Sequence, residues 1–260
     1  MLKLYKKERF ECLPDAILFD TDNTLYHYDP VHALAMQAVR DKVSSTLSID
    51  PATFDQAFSQ ARQQVKARLK NTASSHNRLL YLQRMLEIIG LGSQVLLALD
   101  FEQTYWRTFL SNAVLFDEVK ELLDDLRILG IPTAIVTDLT AQIQFRKVVY
   151  FGLDRYFDYI VTSEEAGFDK PHLAPFEIAL EKMRPKGNCV WMIGDNAVND
   201  IHGARDKIGA VTLQKLHAGV AFGTGDNAPD ASFHDFADVR RLLSRLASSR
   251  CVFQKTGTNP

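Results

Sequence analysis

Five short runs of consecutive apolar residues constrain the fold of this chain more than any other feature of its sequence. Unbroken runs of this length are typical of strands covered on both faces, as in a parallel sheet. The runs are AILF (16–19), TAIVT (133–137), YIVTS (159–163), CVWMIG (189–194) and AVTL (210–213). Helical spacing of apolar residues is found between them at 117–130, 143–150, 174–183 and 200–206. Strands that alternate with helices predict right-handed βαβ units, and hence a doubly wound parallel α/β core of the Rossmann-like type.

The region between the first two runs has a different pattern, in which strand-like runs are replaced by helical spacing. Apolar residues recur at helical intervals from Val31 to Val43 and from Phe54 to Leu69, and Asp50 and Pro51 form a helix start. Two more helices are predicted at about 76–89 and 93–111. We therefore predict a helical-bundle cap domain at 27–113, inserted into a core domain formed by 1–26 and 114–260. The ends, 1–12 and 249–260, are predicted to be frayed.

The composition excludes several classes of protein. With 260 residues, 46% hydrophobic and 24% charged, the chain is long and apolar enough to be globular. Its 30 basic and 32 acidic residues leave no cationic surplus for binding nucleic acid or an anionic membrane. No apolar run has the length of a signal core or a membrane span. We predict a cytoplasmic protein without nucleic-acid or membrane partners, and no pattern indicates its oligomeric state.

The three cysteines, Cys12, Cys189 and Cys251, favour reduced thiols. They are widely spaced, odd in number and lack a C-x-x-C pair. A disulfide framework or a zinc site normally needs closer and more regular spacing. Neither is therefore predicted.

Polar side chains follow the strand-like runs, at the sheet edge where ligands of open α/β sheets bind. They are Asp20, Asp22 and Thr24 after the first run, Thr137 and Asp138 after the second, Lys170 after the third, and Asp195 and Asp200 after the fourth. Carboxylates crowded into one crevice repel each other and are costly to bury unpaired, so a divalent cation is the best neutraliser. Because the set contains neither histidine nor thiolate, it favours Mg²⁺ over zinc.

These residues, in this order, resemble the motifs of the haloacid dehalogenase superfamily of phosphotransferases. DTDNT (20–24) matches D-x-D-x-T, Thr137 ends the next long strand, Lys170 precedes a proline, and GDNAVND (194–200) matches G-D-x-x-x-x-D. The predicted insertion is similar to the helical cap of the sialic acid phosphatase and nucleotidase branches. The resemblance implies a Mg²⁺-dependent phosphatase that hydrolyses a small soluble phosphomonoester, a phosphorylated metabolite, through an aspartyl-phosphate intermediate.

The resemblance also implies catalytic roles for four residues. Asp20 would be the nucleophile that attacks phosphorus. Asp22 would protonate the leaving oxygen and then, as a base, activate the water that hydrolyses the intermediate. Thr137 and Lys170 would hold the phosphoryl oxygens, the lysine offsetting negative charge in the transition state.

Further residues are implied to bind the metal and the phosphoryl group. Asp20, Asp195 and the main-chain carbonyl of Asp22 would ligate Mg²⁺, with Asp200 completing the metal site by orienting Lys170 or a metal-bound water. The other residues implied in phosphoryl binding are Thr21, through an anion nest of backbone amides, Thr24, which braces the loop, and Asp138. Many relatives carry asparagine at the position of Asp138, and we expect its side chain to point to solvent or to the helix cap, leaving its backbone N–H available.

Other functions remain open at this point. A phosphomutase would use the same aspartyl phosphate, whereas a 2-haloacid dehalogenase needs no Asp22 and resembles D-x-Y-x-T instead. Phosphonate hydrolysis would need a Schiff-base lysine, for which Lys66 and Lys70 are candidates by location alone. A catalytically slow binding or sensor module is opposed by the intact motifs. The predicted cap contains no pattern that names the leaving group, and its polar candidates, Arg62, Arg68, Asn77 and Arg78, are of the kind that helix surfaces carry for solvation.

Overall fold

A seven-stranded sheet forms the centre of the protein. A computed structural model describes residues 1–255, with side chains up to residue 248. The strands are β1 (Lys3–Leu4), β2 (Ala16–Phe19), β3 (Thr133–Thr137), β4 (Tyr159–Thr162), β5 (Val190–Gly194), β6 (Val211–Lys215) and β7 (Ala231–Phe233). Their order is β1-β7-β6-β5-β2-β3-β4, and all neighbours are parallel except β1 and β7. The five predicted strands are confirmed as β2, β3, β4, β5 and β6. They are adjacent in the sheet, in the spatial order β6-β5-β2-β3-β4.

The sequence did not predict β1 and β7, which extend the sheet at one edge. They have two and three residues, too few to show a periodic pattern. The prediction that residues 1–12 are frayed is therefore wrong for this segment, because Lys3 and Leu4 pair with Ser232 and Ala231. At the other end the last helix continues to Lys255, and residues 256–260 of the predicted frayed end lie outside the described residues.

Helices cover both faces of the sheet. Among the described residues, six α-helices follow the region 27–113. They are α5 (Val119–Ile128), α6 (Ala141–Tyr150), α7 (Ser163–Ala166), α8 (Leu173–Met183), α9 (Gly203–Ile208) and α10 (Phe236–Lys255). Successive side chains of β2 enter different clusters, as strand geometry requires. Ile17 and Phe19 pack with residues of α5 and α10, whereas Ala16 and Leu18 pack with residues of α8 and α9. The doubly wound α/β core is thus confirmed.

Four helices occupy the region between β2 and α5, and we call residues 28–112 the helical insertion. They are α1 (Tyr28–Leu47), α2 (Pro51–Leu69), α3 (Arg78–Ile88) and α4 (Val95–Asn112), which confirms the four predicted helices. Asp50 caps α2 by accepting a hydrogen bond from the Thr53 amide at 3.0 Å, as the sequence indicates. Where the chain enters and leaves the insertion, the Phe116 amide donates to the Leu25 carbonyl at 2.9 Å. The two connections therefore run side by side.

Cys12 and Cys189 carry free thiols, and the side chain of Cys251 lies outside the described part of the chain. None of the helices within residues 1–255 combines the length and the apolar character needed to cross a bilayer.

Candidate active site

The carboxyl ends of the central strands open into a cavity of about 670 Å³ that the helical insertion also lines. The predicted site residues that line it are Asp20, Asp22, Thr137, Asp138, Lys170, Asp195 and Asp200. The buried Thr21 and Thr24 contact these residues from behind. The Thr24 hydroxyl donates to Asp20 Oδ2 at 3.0 Å, and the Thr21 and Thr137 hydroxyl oxygens are 2.8 Å apart. The fold therefore brings together the nine residues predicted for catalysis, phosphoryl binding and metal binding.

Lys170 is the cation at the centre of this cluster. Its Nζ donates to Asp20 Oδ1 at 2.7 Å, to Asp200 Oδ1 at 2.7 Å and to the Val136 carbonyl at 2.8 Å. These three acceptors match the three N–H groups of an ammonium. Burial opposes the charge, yet Asp20 and Asp200 raise the pKa of Lys170 well above its ordinary value. The lysine is therefore charged and held in one position.

Three carboxylates beside this lysine could hold a metal ion. Oxygen atoms of Asp20, Asp195 and Asp200 lie within 4.8 Å of one another. Burial raises the pKa of Asp20 to about 7 and that of Asp195 to about 9, and neighbouring aspartates contribute to both shifts. Asp200 also accepts a hydrogen bond from the Asn196 amide at 3.0 Å, so both of its oxygens are engaged. An all-carboxylate donor set of this kind suits a hard divalent cation.

Gly194 allows this cluster to be so compact. It ends β5 directly before Asp195, and a Cβ added to it would lie 2.4 Å from the Asp200 Cβ. No side chain can occupy that space without moving Asp200. The glycine of the G-D motif is thus required by the close approach of β5 to the helical segment Ala197–His202, which carries Asp200.

Asp22 is anchored by a buried lysine that the sequence analysis missed. Lys147 Nζ donates to both carboxylate oxygens of Asp22, at 2.8 and 3.0 Å, and the Tyr26 hydroxyl donates to Oδ1. Burial opposes the ionised form of Asp22, but Lys147 and then Tyr26 lower its pKa below the ordinary value. Aromatic rings enclose the ammonium, with those of Tyr26 and Phe109 centred 5.9 and 5.5 Å away. Asp22 is therefore a fixed, ionised carboxylate in this conformation.

A sequence signal for Lys147 exists in helix α6. The buried face of this helix contains Ile143 and Val148, but also the polar Gln144 and Lys147. Polar residues on an apolar helix face need buried partners. Gln144 Nε2 donates to the Thr137 hydroxyl at 2.8 Å and to the Asp138 carbonyl at 2.7 Å. Gln144 thus positions Thr137, and Lys147 positions Asp22.

The structure corrects the expected orientation of Asp138. Its side chain neither extends into solvent nor caps a helix, because Oδ1 accepts a hydrogen bond from the Lys170 backbone amide at 2.9 Å. The loop that carries Lys170 passes beside the end of β3, and its amide needs an acceptor there. Burial raises the pKa of Asp138 to about 6, although Lys170 opposes the shift. Asp138 therefore holds the lysine loop against the end of β3.

The polar candidates of the insertion have different surroundings. Arg62 and Arg78 both line the cavity. Arg62 is exposed, as expected for a solvated side chain, whereas the expectation is wrong for Arg78, whose guanidinium is held by the His76 carbonyl and the Tyr28 hydroxyl. Asn77 caps α3 by accepting a hydrogen bond from the Leu79 amide at 2.9 Å. Arg68 is exposed and does not belong to the cavity lining within the described part of the chain. Helical spacing alone could not separate these cases, because it does not tell which helix face meets the core.

Solved structures with the same fold include proteins of more than one activity. A 2-haloacid dehalogenase from Pseudomonas syringae pv. Tomato is 23% identical, with a TM-score of 0.71 over 90% of this chain and 99% of that one. A HAD phosphatase from Thermococcus onnurineus is 22% identical, with a TM-score of 0.63 over 88% of this chain and 97% of that one. At these identities the likeness establishes the fold alone.

Two relatives found by sequence have a higher identity to this chain than these two solved structures. A protein named ribulose-1,5-bisphosphate 5-phosphatase from Halopiger xanaduensis is 35% identical over 190 residues, 73% of this chain and 80% of that protein. A glyceraldehyde 3-phosphate phosphatase from Methanocaldococcus jannaschii is 26% identical over 231 residues, 88% of this chain and 97% of that protein. The family model described as haloacid dehalogenase-like hydrolase matches residues 14–206. Because this match extends over most of the chain and includes all four motifs, the chain belongs to the haloacid dehalogenase-like hydrolases.

Proposed function

We propose that this protein is a Mg²⁺-dependent phosphatase that hydrolyses a small phosphomonoester through an aspartyl-phosphate intermediate. The observation that carries the proposal is the position of Asp20. Lys170 binds one of its carboxylate oxygens at 2.7 Å and Thr24 binds the other at 3.0 Å, at the floor of a cavity that also contains Asp195. The two sequence relatives described above are named as phosphatases, which supports the same activity.

Asp20 is well placed to act as the nucleophile. One of its oxygens attacks phosphorus, the new O–P bond forms, and the bond from phosphorus to the leaving oxygen breaks. In the second half-reaction water attacks the same phosphorus and the carboxylate of Asp20 is released. The ammonium of Lys170, fixed beside the nucleophile, offsets the negative charge that develops on the phosphoryl oxygens. Thr137 lies at the same edge of the sheet and offers its hydroxyl to those oxygens.

Mg²⁺ fits the donor set on the core side of the cavity. We propose that Asp20, Asp195 and the main-chain carbonyl of Asp22 hold it, while Asp200, engaged with Lys170 and the Asn196 amide, orients the lysine. When bound, the ion supplies positive charge to the transferring phosphoryl group. Lys170 pairs with two of the three clustered carboxylates, Asp20 and Asp200, and among the described residues no other ammonium pairs with any of the three. A second cation is therefore electrostatically favourable there.

Metal removal tests this function. We expect phosphate release from p-nitrophenyl phosphate to fall to background in EDTA and to return when Mg²⁺ is added in excess. Asp195→Asn removes one anionic ligand and is expected to raise the Mg²⁺ concentration needed for half-maximal activity by about 10-fold or more, in line with the loss of a charged ligand. Asp206→Asn, an exposed carboxylate outside the cavity, is the matched control. Undiminished activity in EDTA would show that the proposed metal is not used.

Lys147 is proposed to position Asp22 for its work as general base. Its ammonium holds both oxygens of the carboxylate, which in the second half-reaction accepts a proton from water. Removing it leaves Asp22 without a charged partner among the described residues, held only by the hydroxyl groups of Tyr26 and Thr21. In the first half-reaction Asp22 has to be protonated, which interrupts its ion pair with Lys147. Once Asp22 has given its proton to the leaving oxygen, it is a carboxylate again and the ion pair is restored.

The variant Lys147→Met tests that role. We expect kcat to fall by about 10- to 100-fold, at the lower end of the loss for a missing general base, with a smaller change in KM. Phosphorylated enzyme should accumulate, because hydrolysis of the intermediate slows more than its formation; rapid-quench trapping of the phosphoenzyme measures this. Lys207→Met, an exposed lysine, is the control. An unchanged kcat without phosphoenzyme accumulation would assign Lys147 to packing alone.

Three alternatives are less well supported. A dehalogenase needs no acid at Asp22, and the structural likeness to dehalogenases is too distant in sequence to indicate activity. A phosphomutase shares the intermediate, and is distinguished by transfer of the phosphoryl group back to a sugar rather than to water. A slow sensor module would show the intermediate without rapid turnover. Trapping of the phosphoenzyme excludes the dehalogenase, and rapid release of inorganic phosphate excludes the phosphomutase and the sensor module.

We further propose that the insertion acts as a cap domain, residues 27–113, on a core formed by residues 1–26 and 114–260. Its two connections run side by side, so the insertion can move over the cavity as a unit. Such a cap excludes water during phosphoryl transfer and contacts the leaving group.

A further inference from the structure

We propose that the helical insertion carries a second anion site in the same cavity, so that the substrate is a phosphomonoester with another phosphate or a carboxylate at its far end. The site consists of Arg62, Lys66 and Arg78. This inference rests on the proposed phosphatase function and specifies its substrate class. The transferred phosphoryl group would lie at Asp20, and the second anion would lie at the insertion.

The two sides of the cavity carry opposite charge. The core side contributes five carboxylates and one lysine, which are Asp20, Asp22, Asp138, Asp195, Asp200 and Lys170. The insertion contributes four basic side chains and two carboxylates, which are Arg40, Arg62, Lys66, Arg78, Asp29 and Asp55. Both of these carboxylates have partners, because Asp55 pairs with Arg40 at 2.7 Å and Asp29 accepts from Asn23 at 3.0 Å. The other three cations, Arg62, Lys66 and Arg78, form no ion pair with a carboxylate among the residues whose side chains are described.

Helix α2 contributes two residues to this site, the exposed Arg62 and the half-buried Lys66. They are four residues apart on α2, so they project from the same face of the helix, and both line the cavity. Among residues with described side chains, no carboxylate forms an ion pair with either. Burial, and then the charges of Arg62 and Arg78, lower the pKa of Lys66, although the carboxylate of Asp169 opposes this shift. Like charges held together in this way are stabilised by an anion, as clustered carboxylates are stabilised by a metal ion.

Arg78 forms the fixed part of the site. Its guanidinium donates to the His76 carbonyl at 2.9 Å and to the Tyr28 hydroxyl, and it lies over the rings of Tyr105 and Trp106 at 5.2 and 5.5 Å from their centres. A guanidinium already ordered by these contacts loses little conformational entropy when it binds an anion. It also attracts anions from a partly desolvated position, where charge interactions are stronger than in water.

The cavity connects both sites. Its volume of about 670 Å³ is in the range of pockets for small metabolites, and one continuous lining includes Asp20 and the three cations. A substrate with an anion at each end can therefore neutralise both sides at once. A substrate with a single phosphoryl group leaves the insertion cations uncompensated and binds more weakly.

Paired substrates test this inference. We expect wild-type protein to have a higher kcat/KM for fructose 1,6-bisphosphate than for fructose 6-phosphate, or for 3-phosphoglycerate than for glycerol 3-phosphate. The first pair tests a second phosphate and the second pair tests a carboxylate. Arg62→Gln and Lys66→Gln should each reduce the preference by about 10-fold, the usual loss for one charged hydrogen bond, and leave p-nitrophenyl phosphate hydrolysis little changed. Arg68→Gln, on the same helix but outside the cavity, should leave the preference unchanged.

Direct binding separates this inference from the proposed phosphatase activity. Calorimetric titration of the four ligands into wild-type protein and the three variants needs no turnover. Tighter binding of a doubly anionic ligand, lost in Arg62→Gln and Lys66→Gln but kept in Arg68→Gln, supports the anion site even if no phosphate is released. The proposal is overturned if neither doubly anionic ligand is preferred, or if Arg68→Gln weakens binding as much as the cavity variants do.

Discussion

Asp20→Asn protein is expected to release no measurable phosphate from any phosphomonoester. The amide is nearly isosteric with the carboxylate, so the variant should fold, but it cannot supply the oxygen nucleophile that forms the acyl phosphate. Loss of a catalytic nucleophile typically reduces kcat by a factor on the order of 10⁴ or more, which places turnover near background. A continuous phosphate-release assay with p-nitrophenyl phosphate measures this, together with mass spectrometry of the intact protein to exclude deamidation of the new asparagine.

The matched control for this substitution is Asp124→Asn. Asp124 is an exposed residue of α5 whose nearest charged partner, Arg127, lies 4.0 Å away. We expect this variant to retain wild-type activity and stability, because exposed ion pairs contribute little. If Asp20→Asn protein, free of deamidation, still turned over substrate at a substantial rate, the nucleophile would have to be another residue.

Lys170→Met is expected to impair both catalysis and stability. Nζ of Lys170 makes three hydrogen bonds, two of them to the buried carboxylates of Asp20 and Asp200. Without it, these carboxylates lose their ammonium, and breaking a buried ion pair costs about 3–5 kcal/mol of unfolding free energy. We expect kcat/KM to fall by about 10³-fold for all phosphomonoesters, because the lost charge acts on the phosphoryl group that every substrate shares.

Thermal unfolding with and without Mg²⁺ distinguishes the two effects. Tm of Lys170→Met should fall by several degrees in EDTA and recover in part with Mg²⁺, because the ion replaces some of the missing positive charge. Catalysis should not recover, since the fixed donor to the phosphoryl oxygens remains absent. Lys182→Met, which removes a partly exposed lysine paired with Glu165 at 2.6 Å, should change Tm and activity little. Equal losses in both variants would contradict the central role assigned to Lys170.

The amino-acid sequence by itself was sufficient for the central strands and for the helices that separate them. Each of these elements has a local cause: an unbroken apolar run, a three-to-four-residue apolar period, or a capping pair such as Asp50 and Pro51. The motif residues could be assigned to one site because the carboxyl ends of parallel strands meet at a common edge. The outer strands β1 and β7 were missed because their two and three residues carry too little pattern.

Only the tertiary structure decided the partners of these site residues. Lys147 meets Asp22 from 125 positions along the chain, and Lys170 meets Asp20 from 150. The orientation of Asp138 depends on a backbone amide of another loop, and the cations of the insertion face the cavity because of how the insertion packs on the core. Local patterns in a sequence determine which elements form and where their polar ends lie. The contacts between side chains distant in the sequence are determined by the packing of complete elements, and here that packing fixes the charge of the proposed catalytic groups.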